Sequence, residues 1–135
     1  MKGLILLLLF TFAFSYSDLE ALQRVVYCEA RGEPDNGKLA VAYVVINRSQ
    51  ISGKSIAYEA TKPSQFCVWS GAFSEAAAAK TCQLYAQIAI NRSQPDPSNG
   101  ATFFYSGSNT PYWARGKSPC AVIGGHKFFK NIAPY

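Results

Sequence analysis

The segment from Gly37 to Ile46 constrains the fold most, because it is almost wholly apolar. An element without a polar face must be covered on every side, so it belongs at the centre of a hydrophobic core. Periodicity cannot distinguish a buried helix from a buried strand in so short a run. We predict a helix of about three turns, because Pro34 suits the start of a helix and Asn47 and Arg48 suit its end.

Three further helices are predicted around this central segment. Residues 18–31 carry apolar side chains at helical spacing, with Asp18 as the N-cap or as a first-turn acid. Residues 75–91 follow Ser74, a predicted cap, and begin with four alanines after Glu75. A short helix is expected around residues 55–59.

The C-terminal third of the chain has a different character. Residues 96–100 form a predicted turn, and the aromatic run at 102–105 is typical of a strand. Helices first and short strands later predict an α+β fold with one core. A chain of 135 residues fits a single small domain.

The first seventeen residues have the composition of an export signal. Lys2 precedes an apolar stretch from Leu4 to Phe10, followed by Phe12 to Phe14. A short positive region and an apolar region of about ten residues are typical of a secretory signal. We predict a signal peptide over residues 1–17 and a mature domain over residues 18–135. A retained membrane anchor is the alternative, and it would be the only membrane contact.

Four cysteines, an even number, follow the predicted signal. Export to an oxidising compartment favours disulfides, and four cysteines allow three pairings. Cys67 with Cys82 is the local choice, which leaves Cys28 with Cys120. The sequence has no Cys-x-x-Cys motif, and His126 is close in sequence to Cys120 alone. We therefore predict no metal site.

Cofactor and nucleic-acid signals are missing from the sequence. It has no phosphate-binding loop and no dinucleotide fingerprint, so we expect no cofactor. The formal net charge is +5, but no run of Lys or Arg and no nucleic-acid-binding motif accompanies it. The charge favours an acidic polymer outside the cell over nucleic acid.

One carboxylate in the first predicted helix lies on the apolar stripe. Leu22, Val26 and Glu29 fall on the same face at about 100° per residue. The opposite side carries Glu20, Arg24, Tyr27 and Arg31. A carboxyl partly removed from water has a raised pKa, which suits a general acid at neutral pH. The alternatives are that Glu29 is buried in an ion pair with an Arg, or that its placement is chance.

Other candidate groups have weaker patterns. Glu33 lies four residues after Glu29, and it would share a helix face with Glu29 if the helix continued. Gly32 and Pro34 interrupt the helix, so Glu33 could equally cap the next helix or pair with an Arg. His126, the one histidine, has no Ser or Cys nucleophile motif beside it. The later aromatic residues lie near Asn and Ser side chains and suit stacking on sugar rings. Most of them could equally be core residues. These aromatic residues are Phe103, Phe104, Tyr105, Tyr112 and Trp113.

Several short motifs occur in an order known from one enzyme family. They are Tyr27–Pro34, Gly37, Ala40–Ala42, Val45–Arg48, Gln65–Phe66, Gly100–Tyr105, Trp113 and Ile123–Phe128. Together they resemble the SleB/CwlJ-type cell wall hydrolases, which include spore-cortex-lytic enzymes and some phage endolysins. The resemblance covers essentially the whole mature chain, and the Glu-Ala-Arg-Gly-Glu-Pro block is its most specific part.

The resemblance implies a compact lysozyme-like α+β catalytic domain over residues 18–135. It implies cleavage of peptidoglycan between N-acetylmuramic acid and N-acetylglucosamine, by lytic transglycosylation in the better-understood members. The catalytic glutamate of the family falls on Glu29. Cys28 departs from the bulky or aromatic residue common at its position. No separate peptidoglycan-binding domain is evident, so this domain is expected to find the wall itself.

The carboxylate count favours a mechanism with one catalytic acid. Glycosidases normally use two carboxylates, whereas a lytic transglycosylase can use one. We predict Glu29 as the catalytic acid of a monomeric enzyme that is secreted, periplasmic or associated with the cell wall. The predicted substrate-binding residues are Glu33, Gln65, Tyr105, Trp113 and His126. The alternatives are a muramidase-type hydrolase, a non-catalytic glycan-binding module, and a secreted inhibitor or toxin.

Overall fold

The computed structural model describes residues 15–132, and it contains four α-helices followed by a small sheet. The elements are α1 (Asp18–Ala30), α2 (Asp35–Ser52), α3 (Ile56–Thr61), α4 (Ala76–Asn91), β1 (Phe103–Ser106), a 3₁₀ turn (Tyr112–Ala114), β2 (Ala121–Ile123) and β3 (His126–Phe129). The predicted α+β class, with helices first and short strands last, is confirmed. Most of the predicted signal, residues 1–14, lies outside the described residues. None of the helices within 15–132 has the length and apolar character of a membrane span.

Helix α2 is the central element, as its apolar sequence predicts. Residues 37–46 are buried throughout. The helix is longer than predicted and ends only at Ser52, before Gly53 in the left-handed conformation. Asn47 and Arg48 do not end it, because both are tertiary anchors. Asn47 Nδ2 donates to the carbonyl of Ala101 at 2.8 Å, and Arg48 Nε donates to that of Thr102 at 2.6 Å.

Helix α1 is covered on nearly all sides, which differs from the two-sided pattern predicted for it. Ser17 caps its N-terminus through a hydrogen bond from the Glu20 N–H. Arg24 and Tyr27, predicted opposite the apolar stripe, are 9% and 0% exposed. The loop between α3 and α4 covers them: Arg24 donates to the carbonyl of Trp69 at 2.9 Å. The periodicity could not show that a distant loop supplies a second cover.

Helix α4 packs on α1 and α2 through small side chains. Ala79, Cys82, Ala86 and Ala89 are buried along one side, so the backbones approach closely. The helix begins at Ala76, and Ser74 is not its cap as predicted. The Ser74 hydroxyl instead lies 3.0 Å from the hydroxyl of Tyr27.

The three strands form an antiparallel sheet in the order β1-β3-β2. Side chains alternate between the faces of a strand. Phe104 therefore shares one face with its partner Phe128, which is fully buried against the helices. We call this the inner face. Phe103 and its partner Phe129 lie on the other face, which we call the outer face.

A disulfide is present, but the pairing chosen from closeness in sequence was wrong. The structure pairs Cys28 with Cys67, whose Cα atoms lie 5.6 Å apart, and leaves Cys82 and Cys120 free. Cys82 is fully buried on α4. The Cys120 thiol donates to the carbonyl of Ser98 at 3.2 Å. The pairing of the cysteines depends on which segments meet in three dimensions, and closeness in sequence did not indicate which cysteines pair.

Candidate active site

Glu29 lies in the last turn of α1, beside an open depression of about 390 Å³ that is lined by residues 28–33. Its side chain is half-buried, and its Oε1 accepts a hydrogen bond from the backbone N–H of Cys67 at 2.9 Å. Burial raises the pKa of Glu29 above its ordinary value, and the Cys67 hydrogen bond offsets part of that rise. The side chain therefore combines access to the surface with a stabilised neutral form.

Glu33 lies in the same depression, in the turn between α1 and α2. Its Oε2 accepts a hydrogen bond from the Gly125 N–H at 3.0 Å, and its Oε1 lies 3.5 Å from His126 Nδ1. Lys38 Nζ donates to the Glu33 carbonyl. Pro34 occupies the N-cap position of α2, so Glu33 is not its cap, which was one of the alternatives from the sequence.

The glycine pair before β3 makes room for the Glu33 carboxylate. Gly124 has a φ of +55°, and a Cβ there would overlap Glu33 Oε2. A Cβ at Gly125 would lie 3.0 Å from Glu33 Oε1. Two adjacent glycines before a histidine were the sequence signal for this close approach, but only the structure shows what approaches.

His126 lies behind Glu33 on the inner face of the sheet and is 3% exposed. Its ring contacts the Phe104 ring edge to face, with centroids 5.2 Å apart. Burial lowers the pKa of His126 below its ordinary value, although the Glu33 carboxylate opposes part of that change. His126 is therefore not exposed in the depression, which residues 28–33 line, and it faces Glu33 from behind.

The buried His126 predicts a loss of stability in mild acid. The pKa of His126 in the folded state lies below the ordinary 6.5. Neutral His126 therefore contributes fully to the free energy of unfolding above pH 6.5, and this contribution is lost as the pH falls towards the folded-state pKa. We expect the Tm of the wild-type protein to fall more between about pH 7.5 and pH 5.5 than that of His126→Asn, which cannot titrate. Thermal unfolding followed by circular dichroism measures both proteins. Equal pH dependence in the two would contradict the prediction.

Gln65 is held by Arg48 at the start of the loop that also carries Cys67. Arg48 Nη1 donates to Gln65 Oε1 at 3.0 Å. The Arg48 guanidinium also contacts the rings of Phe66 and Phe103, 4.5 and 4.4 Å from their centroids. This arrangement fixes the loop on α2 immediately before Cys67. The donor to Glu29 is the backbone N–H of Cys67, a group that does not depend on the residue type, so the sequence could not indicate it.

Tyr105 and Trp113 lie apart from the other predicted site residues. Tyr105 shares the outer face with Phe129, and their rings stack with centroids 5.7 Å apart. Trp113 packs on both, with centroid distances of 5.9 Å to Tyr105 and 5.3 Å to Phe129. His126 belongs to the inner face. The structure thus brings Glu29, Glu33 and His126 together and places the two aromatic residues on the other side of the sheet.

The other acidic side chains lie outside the depression. They are Asp18, Glu20, Asp35, Glu59, Glu75 and Asp96. Glu20 and Glu75 form ion pairs with arginines at 3.1 and 2.7 Å. Asp96 accepts hydrogen bonds within its own turn, from Ser98. Glu59 lies on α3 and is 1% exposed. Within residues 15–132, no group of three or more His, Cys, Asp or Glu side chains is arranged to hold a metal ion.

The family model described as Cell Wall Hydrolase matches residues 32–129 of this chain. The chain belongs to this family. The match begins three residues after Glu29. A spore cortex-lytic enzyme of Bacillus subtilis (strain 168) is 32% identical over 118 residues, which covers 85% of this chain and 38% of the relative. A spore cortex-lytic enzyme of Halalkalibacterium halodurans is 30% identical over 126 residues, which covers 85% of this chain and 35% of the relative. The chain spans little more than a third of the length of these curated relatives.

Solved structures of SleB catalytic domains share the fold. The catalytic domain of Bacillus cereus SleB matches with a TM-score of 0.68 and 26% identity, over 85% of this chain and 92% of that domain. The catalytic domain of the germination-specific lytic transglycosylase SleB from Bacillus anthracis matches with a TM-score of 0.69 and 25% identity. The match covers 88% of this chain and 98% of that domain. The predicted membership of the SleB/CwlJ-type family is confirmed.

Proposed function

We propose that this cell wall hydrolase is an exported enzyme that cleaves the glycosidic bond between N-acetylmuramic acid and N-acetylglucosamine in peptidoglycan. The observation that carries the proposal is the half-buried Glu29 carboxyl beside an open depression, with a raised pKa. A general acid must hold a proton near neutral pH and still reach its substrate. Membership of the cell wall hydrolase family supports the choice of substrate.

Glu29 acts as both acid and base in the proposed reaction. Because Oε1 accepts from Cys67, the acidic proton is carried on Oε2 and passes to the glycosidic oxygen as the bond to C1 breaks. The C6 hydroxyl oxygen of the muramic acid then bonds to C1, and its proton returns to the Glu29 carboxylate. The acetamido oxygen of the substrate eases the positive charge on C1. The product carries a 1,6-anhydro ring, and no water is consumed.

The engagement of Glu33 supports this one-carboxylate mechanism over hydrolysis with two. A second carboxylate would have to act as a nucleophile or activate a water. The two Glu33 oxygens are directed instead at the Gly125 N–H and at His126. We infer that Glu33 shapes the floor of the depression and that His126 positions it. The similarity of the fold to SleB from Bacillus anthracis, a lytic transglycosylase, supports the same choice.

Gln65 is the predicted binding residue best placed to extend the depression along a glycan strand. It lies two residues before Cys67, and Arg48 orients its amide. Tyr105 and Trp113 would contact the strand only where it continues past the outer face of the sheet. Their role in substrate binding stays a prediction.

Export is part of the proposal. The apolar segment within residues 1–17 has signal-peptide composition, and a disulfide suits an oxidising compartment. Residues 18–135 have a formal net charge of +4, because the total of +5 includes Lys2, and this charge favours association with a wall polymer that carries acidic groups.

Mass spectrometry of muropeptides tests the reaction. Purified sacculi are digested with the protein, and the soluble fragments are analysed. We expect fragments with 1,6-anhydromuramic ends, each lighter by one water than the corresponding reducing fragment. Reducing ends would show a muramidase-type hydrolase and contradict the transglycosylase mechanism. Pelleting with sacculi without release of fragments would show a glycan-binding module and contradict the enzyme.

A further inference from the structure

The disulfide and the hydrogen bond to Glu29 join the same two segments of the chain. Cys28 directly precedes Glu29 on α1, and its disulfide partner is Cys67. The backbone N–H of Cys67 is the donor to Glu29 Oε1, at 2.9 Å. A covalent bond and a hydrogen bond therefore connect neighbouring positions on α1 to one residue of the loop.

Other contacts anchor the loop on either side of Cys67. Arg48 holds Gln65, and the Trp69 N–H donates to the carbonyl of Arg24 at 3.2 Å. The Phe66 ring stacks on Phe104, with centroids 6.1 Å apart. These contacts would keep the loop folded on α1 and α2 without the disulfide. The position of the Cys67 N–H relative to Glu29 depends most directly on the bond to Cys28.

We propose that the Cys28–Cys67 disulfide is a positioning element for Glu29, and that wall cleavage by this enzyme therefore depends on the oxidised state of this pair. The proposal rests on the proposed catalytic role of Glu29. The pair is accessible to reductants, because Cys67 is exposed and Cys28 is partly exposed. A small dithiol reduces it by forming its own cyclic disulfide, while Cys28 and Cys67 gain two electrons and two protons.

Loss of the Cys67 donor would change both the rate and its pH dependence. Without that hydrogen bond, which lowers the pKa of Glu29, the pKa would rise further. The acid then keeps its proton to higher pH, so the alkaline limb of the kcat/KM profile moves to higher pH. The rate at the optimum falls because Oε1 is no longer held. A purely structural role would lower the rate without moving the limb.

The test compares Cys28→Ser/Cys67→Ser with Cys120→Ser, which removes a free thiol outside the site. Muropeptide release from sacculi is measured across pH, with and without dithiothreitol, and circular dichroism checks folding. We expect the double variant and the reduced wild type to lose about tenfold in rate and to show the shifted limb. Cys120→Ser should match wild type when oxidised and lose activity with dithiothreitol. If the double variant does not fold, wild type reduced and alkylated at pH 7 takes its place.

Two results would overturn the inference. One is an unchanged rate after reduction, and the other is a lower rate with an unmoved alkaline limb. Glu29→Gln in the disulfide-containing protein separates this failure from failure of the proposed function. If Glu29→Gln is inactive and reduction has no effect, only the positioning role is wrong. If Glu29→Gln stays active, the proposed function itself is wrong.

Discussion

Replacing Glu29 with Gln should lower the rate of muropeptide release by at least about 100-fold and leave the fold intact. The amide is close in shape to the carboxyl, and its oxygen can still accept the hydrogen bond from Cys67. It cannot donate a proton to the glycosidic oxygen. Release of soluble fragments from purified sacculi, followed by turbidity and mass spectrometry, measures the loss.

Glu20→Gln is the matched control for this variant. Glu20 lies on the same helix and pairs with Arg24 at a partly exposed position, outside the depression. Its replacement should keep near-wild-type activity, because Glu20 does not line the depression and Arg24 keeps its hydrogen bond to the Trp69 carbonyl. Activity of Glu29→Gln above about a tenth of wild type would reject Glu29 as the general acid.

Glu29→Gln should also change the pH dependence of stability. The raised pKa of Glu29 means that its contribution to stability is present at low pH and is lost as the pH rises through the folded-state value. The Gln side chain does not ionise, so the variant does not lose this stability as the pH rises. Its Tm relative to wild type should therefore be higher at neutral pH than at about pH 4.

Replacing Gly124 with Ala should destabilise the protein by more than about 2 kcal/mol and strongly reduce its activity. The substitution places a side chain on a residue with φ of +55°, and its Cβ would overlap Glu33 Oε2. The Glu33 carboxylate must then move away from the Gly125 N–H and His126. We expect the Tm to fall by about 8 °C, with a parallel loss of muropeptide release.

Gly116→Ala separates backbone strain from the overlap with Glu33. Gly116 has a similar φ of +72°, but a Cβ there has no atom within 4 Å. It should cost only the strain of the left-handed conformation, about 1 kcal/mol, and keep its activity. If the two variants lose stability equally and both stay active, the close approach of Glu33 to the glycine pair has no importance for the site.

Local patterns predicted the helices well where one element supplied its own signals. Ser55 caps α3 through a hydrogen bond from the Tyr58 N–H, near the short helix expected there. Helix α2 was placed correctly at its start, but its end was predicted at Asn47 and Arg48 because these residues suit a helix end by composition, whereas the helix continues to Ser52. Their hydrogen bonds to Ala101 and Thr102 come from a segment more than fifty residues away. No local rule includes such partners.

The candidate site was predictable only where a single helix determines the position of a residue. The spacing of Glu29 from Leu22 and Val26 is a property of one helix, so its half-buried position could be derived from the sequence. Its hydrogen-bond donor is a backbone group, which every residue except proline carries. The sequence therefore held no information on which residue would supply it.

The sequence by itself determined the α+β class, the central helix and the unusual position of Glu29, because hydrophobic periodicity and helix signals act over a few residues. Only the tertiary structure decided the Cys28–Cys67 pairing, the burial of Tyr27, and the separation of Trp113 from the depression. It also decided the contact between Glu33 and Gly125, which are 92 residues apart. Contacts of this kind depend on how whole elements pack, and the energy of that packing is shared over the entire core.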